Sequence, residues 1–80
     1  MLQSIIEAYP EEEFLTVTGF DSCIIGLDYS LRIVYSITAI IQQLEDEGMN
    51  VLDAYEHFSY NIAGAYMGEK TPVFIYTEFV

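Results

Sequence analysis

The stretch SITAIIQQLEDEGMNVLDAYEHFSYNI, Ser36 to Ile62, holds two helix starts and one helix stop, and it commits the middle of the chain to a helical hairpin. Ser36 is an N-cap residue for a helix over Ile37–Glu47, because its hydroxyl can accept from an otherwise orphaned first-turn N–H. Ile37, Ile40, Ile41 and Leu44 recur at helical spacing and form one apolar stripe. Gly48 is the natural residue just past the end of that helix, where the chain turns left-handed. Asn50 starts a second helix, with Asp53 in capping-box spacing and Met49 placed to staple against Ala54. Val51, Tyr55, Phe58 and Ile62 fall at i, i+4, i+7 and i+11 and predict its buried face.

Extended runs flank this hairpin. SCIIGLD (22–28) and LRIVYS (31–36) are apolar and β-branched and predict a β-hairpin, although Asp28-Tyr29-Ser30 lacks the glycine of the favoured two-residue turns. Gly26 inside the first run predicts a bulge or a close packing contact. PVFIYTEFV (72–80) predicts a strand that starts at a proline, and FLTVT (14–18) alternates as a short strand or extended arm ended by Gly19. Leu2, Ile5, Ile6 and Tyr9 predict a short N-terminal helix stopped by Pro10, and Glu11-Glu12-Glu13 make an acidic elbow after it. The expected fold is α+β. Two main helices pack on one face of a small antiparallel β-sheet of three to four strands, with the short N-terminal helix beside it. The 80 residues form one domain, with the helix and elbow at 1–13 and the core at 19–80.

FSYNIAGAYMGEKTP (58–72) has the look of a motif, yet each residue has a structural reading. Phe58 and Ile62 continue the helix stripe. Ala63-Gly64-Ala65 removes bulk so that the helix end can approach a neighbouring backbone. Either Gly64 or Gly68 supplies a left-handed cap, and GEKTP turns the chain into the last strand.

Charge bounds the function. Thirteen Asp and Glu face two Lys and Arg, for a net charge of −11. On a surface of roughly 4,900 Å² that is one net negative charge per ~440 Å². Such a field repels nucleic acid and anionic membrane and attracts basic surfaces. Direct nucleic-acid binding is excluded, because two cations cannot neutralise several phosphates. Seven Tyr and five Phe are more than one small core can hide, which predicts an exposed tyrosine-rich patch suited to a partner or a second copy. The first residues lack the basic region of a signal peptide. The longest uncharged run, Ile33–Leu44, is too short to span a bilayer. A cytoplasmic protein is expected, without membrane association.

Little points to chemistry. Cys23 is alone, so no intrachain disulfide can form. His57 is the single histidine, and a Cys23–His57 pair is the one nucleophile–base combination the composition allows. One His and one Cys fall short of a transition-metal ligand set, and the acidic runs lack the spaced ligands and turn glycine of a calcium loop. No phosphate-cradling glycine loop or nucleophile elbow occurs. The expectation is a protein that is not an enzyme and uses no catalytic residue, metal or cofactor.

The acidic residues themselves are the candidate site. Glu11, Glu12 and Glu13 form one group, and Glu45, Asp46 and Glu47 another at the negative end of a helix dipole, where carboxylates are unfavourable. Asp53, Glu56, Glu69 and Glu78 are scattered. On one face they would imitate a line of phosphates and enter the cationic groove of a nucleic-acid-binding protein, with tyrosines as apolar anchors. The candidate partner-binding set is Glu11, Glu12, Glu13, Glu45, Asp46, Glu47, Glu56, Tyr66 and Glu69. The alternative is an acidic surface without geometry that serves solubility alone.

GFDSCIIGLDYSLRIVYS, then IIQQLEDEGMNVLDAYEHFSYNIAGAYMGEKTPVFIY, resembles a group of small acidic proteins encoded by tailed bacteriophages. The resemblance rests on Phe20, Asp21, Ile24, Ile25 and Gly26, on Gly48 and Met49, and on Phe58, Asn61, Gly64, Ala65, Tyr66, Gly68, Glu69, Thr71 and Pro72. It spans roughly residues 19 to 76; the last phrase is the most specific part, Ser22 and Cys23 depart from the pattern, and the N-terminal helix with its elbow is an addition. It implies a phage origin and assigns no catalytic residue. The group itself has no assigned function; phage origin together with small size and acidity leads to the expectation of a stoichiometric inhibitor of host defence in the host cytoplasm, foremost an anti-CRISPR protein that blocks a CRISPR effector subunit. The second reading is a phage accessory protein that forms a homodimer or larger homo-oligomer through its Tyr and Phe surface, without mimicry.

Overall fold

A computed structural model describes residues 1–64 and 68–79. Among the described residues, three α-helices, three short strands, one 3-10 turn and one π-helical segment follow one another. They are α1 (Leu2–Ala8), a 3-10 turn (Asp21–Cys23), β1 (Ile24–Leu27), β2 (Ile33–Ser36), α2 (Ile37–Asp46), α3 (Val51–His57), a π-helical continuation (Phe58–Ala63) and β3 (Val73–Ile75). The protein is α+β, as its sequence predicts.

The helical hairpin forms through the expected side chains. Ser36 Oγ accepts from Ala39 N at 3.0 Å, and Asn50 Oδ1 accepts from Asp53 N at 2.9 Å. Gly48, at φ +107, closes α2: its N–H donates to Glu45 O and that of Met49 to Leu44 O, the paired bonds of a Schellman cap. All four residues of the α2 stripe are buried. The α3 stripe is corrected. Ala54, Phe58 and Ile62 face the core, while Val51 and Tyr55 stay 50% and 37% exposed. Past His57 the helix widens into π geometry, whose i→i+5 bonds shift the face that a constant 3.6-residue period anticipates. Gly64 fits there because a Cβ would come within 3.1 Å of Ser59 O, so the close backbone is the coil's own. Gly64 is right-handed, and Gly68 carries the positive φ.

The sheet order is β1-β2-β3. β1 and β2 pair antiparallel with a register irregularity between Ile24 and Gly26, the bulge that Gly26 predicts. β2 and β3 pair parallel, Tyr35 opposite Phe74, so the sheet is mixed rather than wholly antiparallel. The reason is the connection: a parallel neighbour needs a long crossover, and the helical hairpin supplies it. β3 is also shorter than the run 72–80. Beyond Ile75 the chain is held by side chains, Thr77 sharing a hydrogen bond with Ser36 at 2.9 Å and Glu78 accepting from Thr38. Residues 14–17 lie outside the sheet without regular structure, Thr18 and Gly19 turn, and Asp21–Cys23 is helical.

β2 is buried along its whole length. Ile33 and Tyr35 join Ile24, Ile37, Ile40, Ile41, Leu44, Ala54, Phe58 and Ile62 in one core. Phe74 stacks on Tyr35 (centroids 5.6 Å apart) and meets Phe58 edge-on at 5.3 Å. Ile5 of α1 is buried in the same core, and Leu2, Phe14 and Val17 pack against it. The N-terminal segment is thus docked on the domain.

Candidate functional site

Among the described residues, the carboxylates that line depressions are divided among separate ones. Glu45 belongs to the last turn of α2 and lines a groove of about 260 Å³ between α2 and α3, with Thr38, Ile41, Gln42, Val51, Tyr55 and Glu78. The apolar wall of this groove is Ile41, Val51 and Tyr55. Its rim is two carboxylates, of which Glu78 accepts from Thr38 Oγ1. No Lys or Arg lines it. Asp46 and Glu47 are exposed on the same helix end, accepting from Gln42 Nε2 at 3.0 Å and Gln43 Nε2 at 3.4 Å.

On the other flank of α3, Glu56 and Asp53 share a wider depression of about 350 Å³ with Met49, His57, Tyr60 and Asn61. The His57 ring and the Asn61 amide lie 3.3 Å apart, Nδ1 to Nδ2. Glu11 and Glu12 line a third depression with Ala8, Tyr9 and Pro10, and Glu13 is exposed beside it. Glu69 lies in a separate depression of about 430 Å³ with Ser30, Arg32 and Lys70. Tyr66 lies outside the described residues.

Both cationic side chains are engaged. Arg32 Nε is 2.7 Å from Asp28 Oδ2, and Lys70 Nζ is 3.1 Å from Glu12 Oε2. Asp28 also accepts from Arg32 N (2.8 Å) and Ser30 N (3.0 Å). The Arg32 N–H bond is the main cause holding its carboxyl below the usual carboxylate range, with the guanidinium adding to it. This arrangement builds the hairpin turn without glycine, and Leu31 takes the left-handed position at φ +61.

The Cys23–His57 combination is not brought together by any hydrogen bond among the described residues. The buried Cys23 thiol donates to Gln43 Oε1 at 3.6 Å, and burial pushes its pKa up against a weaker opposing bond from Ser22. A protonated, enclosed thiol is a poor nucleophile. Among the described residues no three His, Cys, Asp or Glu side chains gather as a metal site. No helix of the described chain is long and apolar enough to cross a membrane.

The exposed tyrosines are spread over separate places. Tyr9 lies beside Glu11 and Glu12, Tyr55 beside Glu45 and Glu78, and Tyr60 beside Asp53 and Glu56. Tyr29, in the hairpin turn, and Tyr76 are exposed as well. Among the described residues, aromatic and carboxylate therefore alternate locally instead of forming one patch. Val51, Tyr55, Thr38 and Glu78 enter the groove without having been singled out as site residues. The signal for Val51 and Tyr55 is Ala54, whose i, i+4, i+8 spacing to Phe58 and Ile62 competes with the stripe they were assigned to. Comparison with known protein families, curated proteins and solved structures finds no match.

Proposed function

We propose that this chain is a non-enzymatic binding protein that docks its α2–α3 face on a basic surface of a nucleic-acid-handling protein. The observation that carries the reading is the groove between those helices, apolar along Ile41, Val51 and Tyr55, rimmed by Glu45 and Glu78, and lined by no cation. Asp46, Glu47, Asp53 and Glu56 extend the negative surface on both sides of it. Apolar contact desolvates the centre of such an interface, and surrounding carboxylates steer and select a cationic partner. With the sequence resemblance, the reading becomes a phage-encoded inhibitor of host defence in the host cytoplasm, an anti-CRISPR protein that occupies the nucleic-acid surface of a CRISPR effector subunit. Glu11 and Glu13 form a second acidic site at the elbow, while Glu12 and Glu69 lie beside Lys70 and contribute less.

The test is capture from bacterial lysate on the tagged protein, with elution in rising salt and identification by mass spectrometry. A nucleic-acid-binding protein released at moderate salt, displaced by competing DNA or RNA, and lost with the Glu45→Lys/Asp46→Lys/Glu47→Lys variant is the expected result. Undiminished capture by that variant overturns the electrostatic reading. Homo-oligomerisation is favoured instead by the exposure of Leu52, Tyr60 and Phe79; a salt-insensitive dimer in sedimentation, with no captured partner, is its signature.

A further inference from the structure

The groove between α2 and α3 is small. At about 260 Å³ it is below the size of a drug-like ligand site, and it suits one long side chain better than a helix or a strand. Its chemistry is split. Ile41 and the half-exposed Val51 offer apolar surface, Tyr55 offers an aromatic ring, and Glu45 and Glu78 offer two carboxylates. Glu78 is steadied by Thr38, whereas the Glu45 side chain makes no hydrogen bond or ion pair among the described residues. The chain has no cation to spare for them, since Arg32 is paired with Asp28 and Lys70 with Glu12.

We propose that this groove receives an arginine side chain of the basic partner, its methylene stem against Val51 and Ile41 and its guanidinium at Tyr55, Glu45 and Glu78. The proposal rests on the docking surface proposed above and names what enters it. Arginine suits this chemistry better than lysine. Its planar, weakly hydrated guanidinium stacks on an aromatic ring and presents several donors to two carboxylates, while an ammonium keeps its water and bonds as a point charge. The neighbouring depression at Asp53, Glu56 and Tyr60 is wider, and two of its polar side chains, His57 and Asn61, already partner each other.

The experiment is a titration of the intact protein at low salt, followed by NMR, with a short Arg-Gly peptide and with the Lys-Gly peptide of the same length. The expected result is binding of the Arg peptide about fivefold tighter, the size of a cation–π contact at a partly exposed site. The largest shifts are expected at Ile41, Val51 and Tyr55. Tyr55→Ala removes the preference, Glu45→Gln/Glu78→Gln weakens both peptides there, and Tyr29→Ala, in the hairpin turn, changes neither. The spectrum of each variant shows whether it remains folded; the double Gln variant keeps the test valid if Tyr55→Ala does not. Equal affinity for the two peptides, or a preference that survives Tyr55→Ala, overturns the arginine site and leaves acidic docking standing. Failure of both peptides to bind overturns both readings.

Discussion

Lys70 Nζ stands 3.1 Å from Glu12 Oε2 and, with the same ammonium, joins three separate parts of the chain. It donates to Leu31 O at 3.0 Å in the hairpin turn and lies 5.3 Å from the centre of the Phe14 ring. One of the two basic side chains of a strongly acidic protein therefore fastens the elbow and arm to the sheet. The pair is 28% and 39% exposed on its two sides, so solvent screens it. Lys70→Met is expected to cost about 1 kcal/mol, from a screened ion pair and an exposed cation–π contact together. That lowers Tm by about 5 °C in a domain of this size. Glu12→Gln should cost clearly less, because the contacts to Phe14 and Leu31 remain. Equal losses in the two variants, read by thermal unfolding, would show that the ion pair alone makes the attachment.

The arm has a second attachment in the core. Tyr35 is 0% exposed, and its hydroxyl accepts from Val17 N at 2.7 Å. Tyr35→Phe keeps the ring on Phe74 but leaves that N–H without its partner. The expected loss is about 1 kcal/mol, the low end for a donor left unsatisfied, because the bond is only partly buried. Urea unfolding measures it, and amide exchange at Val17 should accelerate. A change below about 0.3 kcal/mol would mean that water replaces the hydroxyl and that the arm is held elsewhere.

What could be read in the sequence was local. Ser36, Gly48 and Asn50 act on backbone groups within a few residues, and each does what its type suggests. The α2 stripe is legible for the same reason. The parallel pairing of β3 was not, because strand direction follows from where a long crossover returns and not from Val73–Ile75 themselves. The face of α3 is not legible, because Ala54, a small residue, marks its close contact while the larger Val51 and Tyr55 stay exposed. For the site, the acidic runs were visible as runs, but their division among depressions depends on long-range contacts. Lys70 is the clearest case: nothing near it in sequence announces that it takes Glu12 out of the free acidic surface.

The hairpin turn carries a conformational cost in Leu31, whose φ of +61 is normally left to glycine. The Asp28 side chain overrides that preference by holding Ser30 N and Arg32 N. Leu31→Gly removes the left-handed penalty of roughly 1–2 kcal/mol but adds unfolded-chain entropy of about 0.5–1 kcal/mol and gives up a half-buried side chain. The variant is expected to be as stable as the parent or slightly more so. Leu31→Val, β-branched at the same φ, should lose about 1 kcal/mol or more. A Gly variant less stable than the Val variant in denaturant unfolding would sink the strain argument.

The same turn fixes a pH dependence. Asp28 is held low first by the Arg32 N–H and then by its guanidinium, so its ionised form is favoured in the folded protein. A carboxylate with a lowered folded pKa contributes stability that is fully present above its unfolded value of about 3.9 and is lost as pH falls through the folded value. The stability gap between the protein and Asp28→Asn should stay constant from neutral pH to about pH 4 and close below that. Urea unfolding of both proteins across this range checks it. A gap that closes between pH 7 and pH 5 would assign the effect to some other group.

Glu45, Asp46 and Glu47 offer a way to separate function from fold. They occupy the last turn and cap of α2, where the dipole is negative and lysine is the favourable residue. Each Lys reversal there is expected to gain about 0.3–1 kcal/mol at low ionic strength. The modest bonds from Gln42 and Gln43 are lost in exchange. The triple variant should therefore be more stable than the parent, by about 1 kcal/mol, and should still fail to hold a basic partner. That combination marks carboxylates kept in place for binding against the preference of the helix. A less stable variant, or a more stable one that still binds, would remove the ground for assigning them to the interface, and thermal unfolding with salt-stepped capture on one preparation decides it.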